Sequence, residues 1–212
     1  MKESEFYDAA KETMPVKERE RYLNEKLRDI IEYAYHHAPA VKEKMDWGRV
    51  TPSQILTIKD LEKISITRRD NLIELQKKIP PLGGFLAVPI ENVARIFISP
   101  GPIYDVVPPD STTEEQCLYA AGLRKGDRVI NTYSHHMVPM GFLIDRAVTA
   151  LRATVVPTGV GNTELQVQIM RDLGVTAYVG TASFLITLIR KAEELGCDFR
   201  RDFKLRRAPL GA

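Results

Sequence analysis

The segment Ala153–Phe184 constrains the fold of this chain more than any other. Ala153–Val156 is short and β-branched, as suits a buried strand, and Pro157 and Gly159 break it. Gly161-Asn162-Thr163 signals entry into a helix, and Thr163 with Gln166 has the spacing of a capping box. Leu165, Ile169 and Leu173 recur at i, i+4, i+8 and predict the apolar face of that helix. Gly174 ends it, and Val175–Val179 reads as a second strand. A strand–helix–strand unit of this size predicts two parallel strands in an α/β sheet. Ligands of open α/β sheets bind beyond the carboxyl ends of the strands. The two turns at those ends are Pro157–Thr163 and Gly180–Ser183.

The rest of the chain sets the context for this unit. Arg19–His37 is amphipathic, with Leu23, Leu27, Ile30, Ile31, Ala34 and Tyr35 on one face, and Pro39 ends it. Residues 1–14 read as a short helix or lead-in. Thr51-Pro52-Ser53-Gln54 starts a short helix, and Thr67–Lys78 is another, stopped by Pro80-Pro81-Leu82-Gly83-Gly84. Residues 1–80 therefore form a helical N-terminal region, and the Pro/Gly stretch is a joint. From residue 81 the pattern alternates: a strand over Val93–Ile98, a loop over Ser99–Asp110, and a helix over Ser111–Gly122 with Ser111 and Glu114 as its capping box. A strand over Arg128–Asn131 and a helix over Met137–Ala150 precede the opening segment, and a helix over Thr181–Leu195 follows it. Phe203–Leu210 has the composition of a further strand. The fold class is α/β: a helical N-terminal region followed by a mostly parallel, doubly wound sheet.

Charge and composition exclude several functions. Thirty basic and 28 acidic residues leave a net charge of +2, which gives no electrostatic footprint for nucleic acid or an anionic membrane. No apolar run approaches the roughly 18 residues of a membrane span, and the polar, acidic N-terminus is no signal peptide. Cys117 and Cys197 are too few and too far apart for a disulfide framework or a zinc site, which fits reduced thiols in a cytoplasmic protein.

Three motifs invite a chemical reading. Gly159-x-Gly161 stands where a dinucleotide fingerprint would, but Glu164 occupies the third position and would repel a pyrophosphate. It reads as a tight turn bordering a pocket. Ser99-Pro100-Gly101-Pro102-Ile103-Tyr104-Asp105 follows a strand, yet its prolines carry no N–H, Asp105 has the wrong charge for a phosphate, and no lysine or arginine lies in it. His135-His136 follows the Arg128–Asn131 strand, where a pocket would open. Adjacent histidines diverge and no third ligand stands near, so no metal site is expected. Arg200–Arg207 is rich in arginine and reads as solvated surface.

Arg95-Ile96-Phe97-x-Ser99-x-Gly101, followed by T-V-V-P…G-N-T-E-L-Q…R-D-L-G-V-T-A, resembles the phenylacetate–CoA ligases of the adenylate-forming (acyl-CoA synthetase, AMP-binding) superfamily. Tyr33-x-x-x-x-Ala38-Pro39, Ile64-x-Ile66-Thr67-x-x-Asp70-x-Leu72 and Phe85-x-Ala87-Val88-Pro89 extend the resemblance upstream. It implies that residues 81–212 are an incomplete α/β subdomain of an AMP-binding domain. It implies a reaction in which a carboxylate is adenylated by ATP with Mg²⁺ and the acyl group passes to the thiol of coenzyme A. Ser99, Gly101 and Tyr104 then fall at the phosphate-loop position. Tyr133, Ser134, His135, His136 and Met137 fall on the stretch that lines the acyl pocket, with Gly159, Gly161, Asn162 and Thr181 near it.

The family's phosphate loop reads Ser-Ser-Gly-Thr-Thr-Gly-Lys-Pro, and only Ser99 and Gly101 match it here. The acyl-pocket stretch is more polar than the family's aromatic, glycine-rich one. The family's adenine-binding motifs, catalytic glutamate and lid lysine have no counterpart in these 212 residues, so no catalytic residue is assigned. The expected parent activity is ligation of an aryl or other organic acid to coenzyme A, with no turnover by this chain alone. The alternative is a non-catalytic acyl- or nucleotide-binding module, or a structural remnant of such a ligase. An open sheet edge would also invite a second copy of the chain.

Overall fold

The computed structural model describes residues 4–107 and 113–211, which fall into two compact units. One spans residues 10–109; the other comprises the residues up to 9 and those from 110 onward.

The first unit is helical with a small hairpin. Its helices are α1 (Ala9–Glu12, at the boundary), α2 (Val16–His37), α3 (Pro39–Trp47) and α4 (Arg69–Lys78). Pro39 does end α2, but it also occupies the first turn of α3, where a missing N–H costs nothing. Leu27, Ile31 and Tyr35 of α2 pack on Met45, Val50 and Ile55, whereas Leu23 and Ile30 of the expected face are 42% and 56% exposed. The Thr51–Gln54 capping box is present around a 3₁₀ turn at Pro52–Gln54. The segment read as a loop after Ser99 is instead half of a hairpin. Strands β1 (Ile96–Ser99) and β2 (Ile103–Val106) pair antiparallel, with Ser99 opposite Ile103. Pro100-Gly101-Pro102 is the turn between them. The Gln76 side chain of α4 closes β2's free edge. Its Nε2 donates to the Tyr104 carbonyl and its Oε1 accepts the Tyr104 N–H, both at 2.8 Å. Ser111, and with it the expected capping box at the start of the next helix, lies outside the described residues.

The second unit is a doubly wound sheet. Its elements are α5 (Thr113–Ala120), β3 (Arg128–Asn131), α6 (Met140–Ala150), β4 (Thr154–Pro157), α7 (Thr163–Asp172), β5 (Ala177–Val179) and α8 (Ala182–Glu194). The strands are parallel in the order β4–β3–β5. Alternation along them sends side chains to two cores. Val129, Ala177 and Val179 pack with Leu118, Ile144, Ala147 and Val148. Ile130 and Tyr178 pack with Val167, Met170, Leu188 and Ala192. Helices therefore cover both faces, as near-continuous apolar strands require.

Two expectations for α7 fail together. Asn162, in the left-handed conformation with φ 47°, precedes the helix without a side-chain cap. Gln166 does not cap it either; its Nε2 donates to the carbonyls of Gly159 (3.0 Å) and Gly161 (2.7 Å). Turning Gln166 inward rolls Val167 and Met170 onto the sheet. Leu165 and Leu173 of the expected stripe are left 52% and 50% exposed.

Residues 206–211 run beside β5. Isolated parallel bridges join Ala177 to Arg207 and Gly180 to Leu210, short of the full strand the composition predicts. A buried carboxylate fastens this segment. Asp127, 4% exposed, accepts from Arg207 Nη1 (3.0 Å to Oδ1), Thr176 Oγ1 (2.8 Å) and the Arg124 N–H (2.9 Å). Part of the arginine cluster read as solvated surface is thus spent inside the fold. Asp127→Ala strands these donors and is expected to cost about 2–4 kcal/mol in denaturant unfolding. Arg206 stands 3.6 Å from Asp127 with its side chain 66% exposed. Its replacement by alanine is expected to cost under about 0.5 kcal/mol.

Candidate functional site

Successive parallel strands are added on opposite sides of β3. The connection through α6 leads to β4 on one side, and the connection through α7 returns to β5 on the other. The carboxyl ends of β3 and β5 therefore flank a topological switch point, where α/β sheets hold ligands. A cleft of about 360 Å³ opens there. Thr132, Tyr133 and Ser134 after β3 form one wall, and Thr181, Ser183, Phe184 and Thr187 after β5 form the other. Val160, from the turn after β4, completes it.

Asn131, fully buried at the end of β3, builds this rim. Its Nδ2 donates to the Gly141 carbonyl (2.9 Å) and to Asp145 Oδ1 (2.8 Å) in α6. Its Oδ1 accepts the Tyr133 N–H (3.1 Å). Its own carbonyl accepts the Gly159 N–H (3.0 Å) and the Thr158 hydroxyl (3.2 Å). One residue thus ties the loop after β3, the start of α6 and the turn after β4.

The β3–β5 side is equally tight. The Thr132 N–H bonds the Val179 carbonyl (3.0 Å), and the Thr132 hydroxyl lies 3.1 Å from both that carbonyl and the Tyr178 phenol. Tyr178 donates to the Thr181 carbonyl (2.9 Å). Burial raises the pKa of Tyr178 and of Tyr133 above the usual phenol value, so both phenols stay protonated; the Gly211 N–H offsets this in part at Tyr133. Gly180 has no alternative here: a Cβ would stand 2.0 Å from Thr132 Oγ1 and 2.4 Å from the Tyr178 hydroxyl. Gly141 is held as closely, since a Cβ there would stand 2.5 Å from the Ser134 carbonyl.

Of the residues expected at the acyl pocket, Tyr133, Ser134 and Thr181 line the cleft. Thr181 caps α8, its hydroxyl accepting the Phe184 N–H (3.3 Å). His135, next to Ser134 in the same loop, does not line the cleft; its Nδ1 is 3.8 Å from where a Gly159 Cβ would stand, and its Nε2 is 3.0 Å from Asp145 Oδ2. His136, Met137, Gly159, Gly161 and Asn162 do not line the cleft. Met137 is 64% exposed with φ 67°, and Asn162 borders a shallow depression beside α7. Asn131, Asp145 and Tyr178 were not singled out in the sequence reading, and Gly180 entered it only as the start of a turn. The signal for Asn131 was present, as a polar residue closing the Val129-Ile130 run of the central strand.

A second, more apolar cleft of about 450 Å³ shares Tyr133 and is lined by Cys117, Leu118, Met140, Ile144 and Leu210 among others. Thr113 and Glu114 also border it, next to residues outside the described set.

The residues at the phosphate-loop position, Ser99, Gly101 and Tyr104, belong to the other unit. Ser99 closes β1, Gly101 is the turn, and the Tyr104 backbone is held by Gln76. Within the turn Gly101 carries the one N–H, because its neighbours are prolines. A cation does reach it from outside the loop: a Cβ at Gly101 would stand 3.3 Å from Arg69 Nη2 of α4. One N–H beside one guanidinium does not make a triphosphate cradle, and no step is assigned to it.

Asn131→Ala removes three side-chain bonds in a dry site and is expected to cost about 2–3 kcal/mol. Amide exchange should accelerate at Tyr133, which loses its acceptor. Gly159, bonded to the main-chain carbonyl of residue 131, should stay protected.

No protein-family model matches the chain. Phenylacetate–coenzyme A ligase of Pseudomonas putida is 29% identical over 210 residues, covering 95% of this chain and 46% of that protein. The enzyme of the same name from Thermus thermophilus is 28% identical over 216 residues, covering 98% and 47%. The chain thus spans about half the length of the curated relatives it matches. Among solved structures, 2-hydroxyisobutyryl-CoA ligase in the postadenylation state with 2-HIB-AMP superposes with a TM-score of 0.90 at 25% identity, covering 96% of this chain and 45% of that one. The same ligase with R3-HIB-AMP gives 0.89 at 26% identity. Over nearly its whole length, the chain resembles the N-terminal part of the phenylacetate–CoA ligases and carries the fold of an adenylate-forming ligase domain.

Proposed function

We propose that this chain is the acid-binding part of an acid–thiol ligase. In the parent reaction an organic acid is adenylated by ATP, and its acyl group is then passed to coenzyme A. The observation that carries this reading is the position of the cleft. It opens at the switch point of the sheet, and Tyr133, Ser134 and Thr181, which the family resemblance assigns to the acyl pocket, are on its walls. The relatives and the solved neighbours are named as acid–CoA ligases, and the neighbours hold acyl adenylates. The apolar cleft beyond Tyr133 is the weaker candidate, because its border adjoins residues outside the described set.

This chain's own residues supply orientation and water exclusion. Gly180 lets β3 and β5 close together, Asn131 fixes the rim, and Phe184 with Val160 provides apolar wall. The residues fit the acid better than the nucleotide. The Ser99 turn lacks the backbone donors that a phosphate loop provides, so catalysis by the 212-residue chain is not part of the proposal. Among the described residues no group of three or more His, Cys, Asp or Glu side chains could hold a metal ion, and none is assigned to Mg²⁺. Among them also, no helix is long and apolar enough to cross a membrane.

Calorimetry on the purified chain tests this. An aryl or hydroxylated organic acid is expected to bind, and ATP is not. Ser183→Trp, which fills the cleft, should weaken acid binding by about tenfold or more, whereas Met140→Trp, in the neighbouring cleft, should not. Loss of binding in Met140→Trp alone would move the acid to the apolar cleft. Sustained pyrophosphate release by the chain with acid and ATP would overturn the assignment to binding alone.

A further inference from the structure

The cleft at the switch point and the apolar cleft beside it meet at one side chain: among the described residues, Tyr133 is common to both linings. The walls differ in chemistry. The first cleft carries the hydroxyls of Thr132, Ser134, Thr181, Ser183 and Thr187. The second carries the carbon surfaces of Leu118, Met140, Ile144, Val179 and Leu210. Tyr133 belongs to the carbon side as well, because it packs against the core cluster that contains Leu118, Ile144 and Val179. Both of its ends are fastened. Its N–H donates to Asn131 Oδ1 (3.1 Å). Its phenol oxygen accepts the Gly211 N–H, and the approach is so close that a Cβ on residue 211 would stand 2.6 Å from that oxygen. A ring held at both ends swings aside for a ligand only by giving up one of these bonds. Next to it, Thr132 of the first lining and Val179 of the second are joined by a main-chain bond (3.0 Å), so the backbone is closed there and the Tyr133 side chain is the removable part of the wall.

We propose that Tyr133 is a specificity-determining residue: it is the partition between the two clefts and sets the length limit of the acid. The proposal rests on the acid-binding reading of the hydroxyl-lined cleft. An acid seated in that space of about 360 Å³ runs its hydrocarbon body against the Tyr133 ring. With the ring removed, a longer body reaches the apolar space of about 450 Å³ beyond it. Each methylene buried there strengthens binding about fourfold. The wild-type chain therefore takes a short or compact organic acid and turns away a long one, although it carries an apolar cleft able to hold the tail. The volume of the ring imposes the limit, and the bond from Gly211 only steadies it.

The test is calorimetry of the purified chain with two series of acids, phenylacetate with its para-ethyl and para-butyl congeners, and butanoate, hexanoate and octanoate. Circular dichroism confirms that each variant is folded. In wild type the affinity should stop rising, or fall, with length in each series that binds. In Tyr133→Ala the ratio of long-acid to short-acid affinity should rise by at least about tenfold. Tyr133→Leu, a milder opening, should move it in the same direction and serves if the alanine variant does not fold. Tyr133→Phe keeps the ring and loses the Gly211 bond, so it should keep the wild-type limit. Adding Met140→Trp to Tyr133→Ala fills the apolar cleft and should cancel the gain. If wild type already gains affinity with every added methylene, if opening Tyr133 leaves the ratio unchanged, or if Met140→Trp does not cancel the gain, the partition is overturned and the acid-binding reading survives. If no acid of either series binds the folded wild type or the folded variants, the acid-binding reading falls and the length limit falls with it.

Discussion

The fan of hydrogen bonds around Asn131 governs the functional end of the sheet. A fully buried side-chain amide is tolerated in an α/β core only if its polar atoms find partners, and here both do. Its partners lie in the loop after β3 and in α6, and its main-chain carbonyl holds the turn after β4. The partners in the loop and in α6 lie 2 to 14 residues along the chain, and the Thr158 hydroxyl in the turn after β4 lies 27 residues along. Low local dielectric strengthens each bond and makes each unpaired group costly, so the set forms as a unit or not at all.

Around that hub the packing leaves little slack. β3 and β5 approach closely enough that residue 180 has no room for a Cβ. That closeness brings the Thr132 N–H to the Val179 carbonyl and aligns the two loops as facing walls. At the opposite end of β3, Asp127 gathers Arg207, Thr176 and Arg124, and so places residues 206–211 along β5. The sheet is thus pinned at both ends of its central strand, by a neutral amide at the carboxyl end and by an ion pair at the amino end.

Much of the fold was legible in the sequence, for local reasons. β3 follows from the Arg128–Asn131 run after a Gly126-Asp127 turn, and α2 from its spaced leucines and isoleucines. The errors share a cause, which is that the outcome depended on contacts that residue spacing and composition do not specify. α7 carries two apolar stripes, and periodicity cannot tell which one faces the sheet. Gln166 decided it by reaching back to the carbonyls of Gly159 and Gly161. The β1–β2 hairpin was hidden because two prolines made Ser99–Asp105 look like an irregular loop, whereas they sit in the turn and leave the strands intact. In the site, Tyr133, Ser134 and Thr181 could be placed from the strand ends alone. The His135–Asp145 pair could not. It joins a loop to a helix ten residues on, through a register that only the packed structure defines.

The Ser99 turn illustrates the same point in reverse. Read along the chain, it lacks a cation and looks unable to meet a phosphate. In space, the Arg69 guanidinium stands against it, supplied by α4 some thirty residues upstream. The charge that the loop sequence lacks is therefore present, while the backbone donors are not, since prolines flank the one N–H of Gly101. A guanidinium beside a rigid turn attracts an anion but does not orient it, because orientation comes from several fixed N–H groups converging on one oxygen. The two units thus differ in what they could offer a ligand. The sheet unit has a shaped and braced cleft, and the hairpin has charge without a cradle. That difference is why the proposed reading gives the cleft an acid and gives the Ser99 turn no nucleotide.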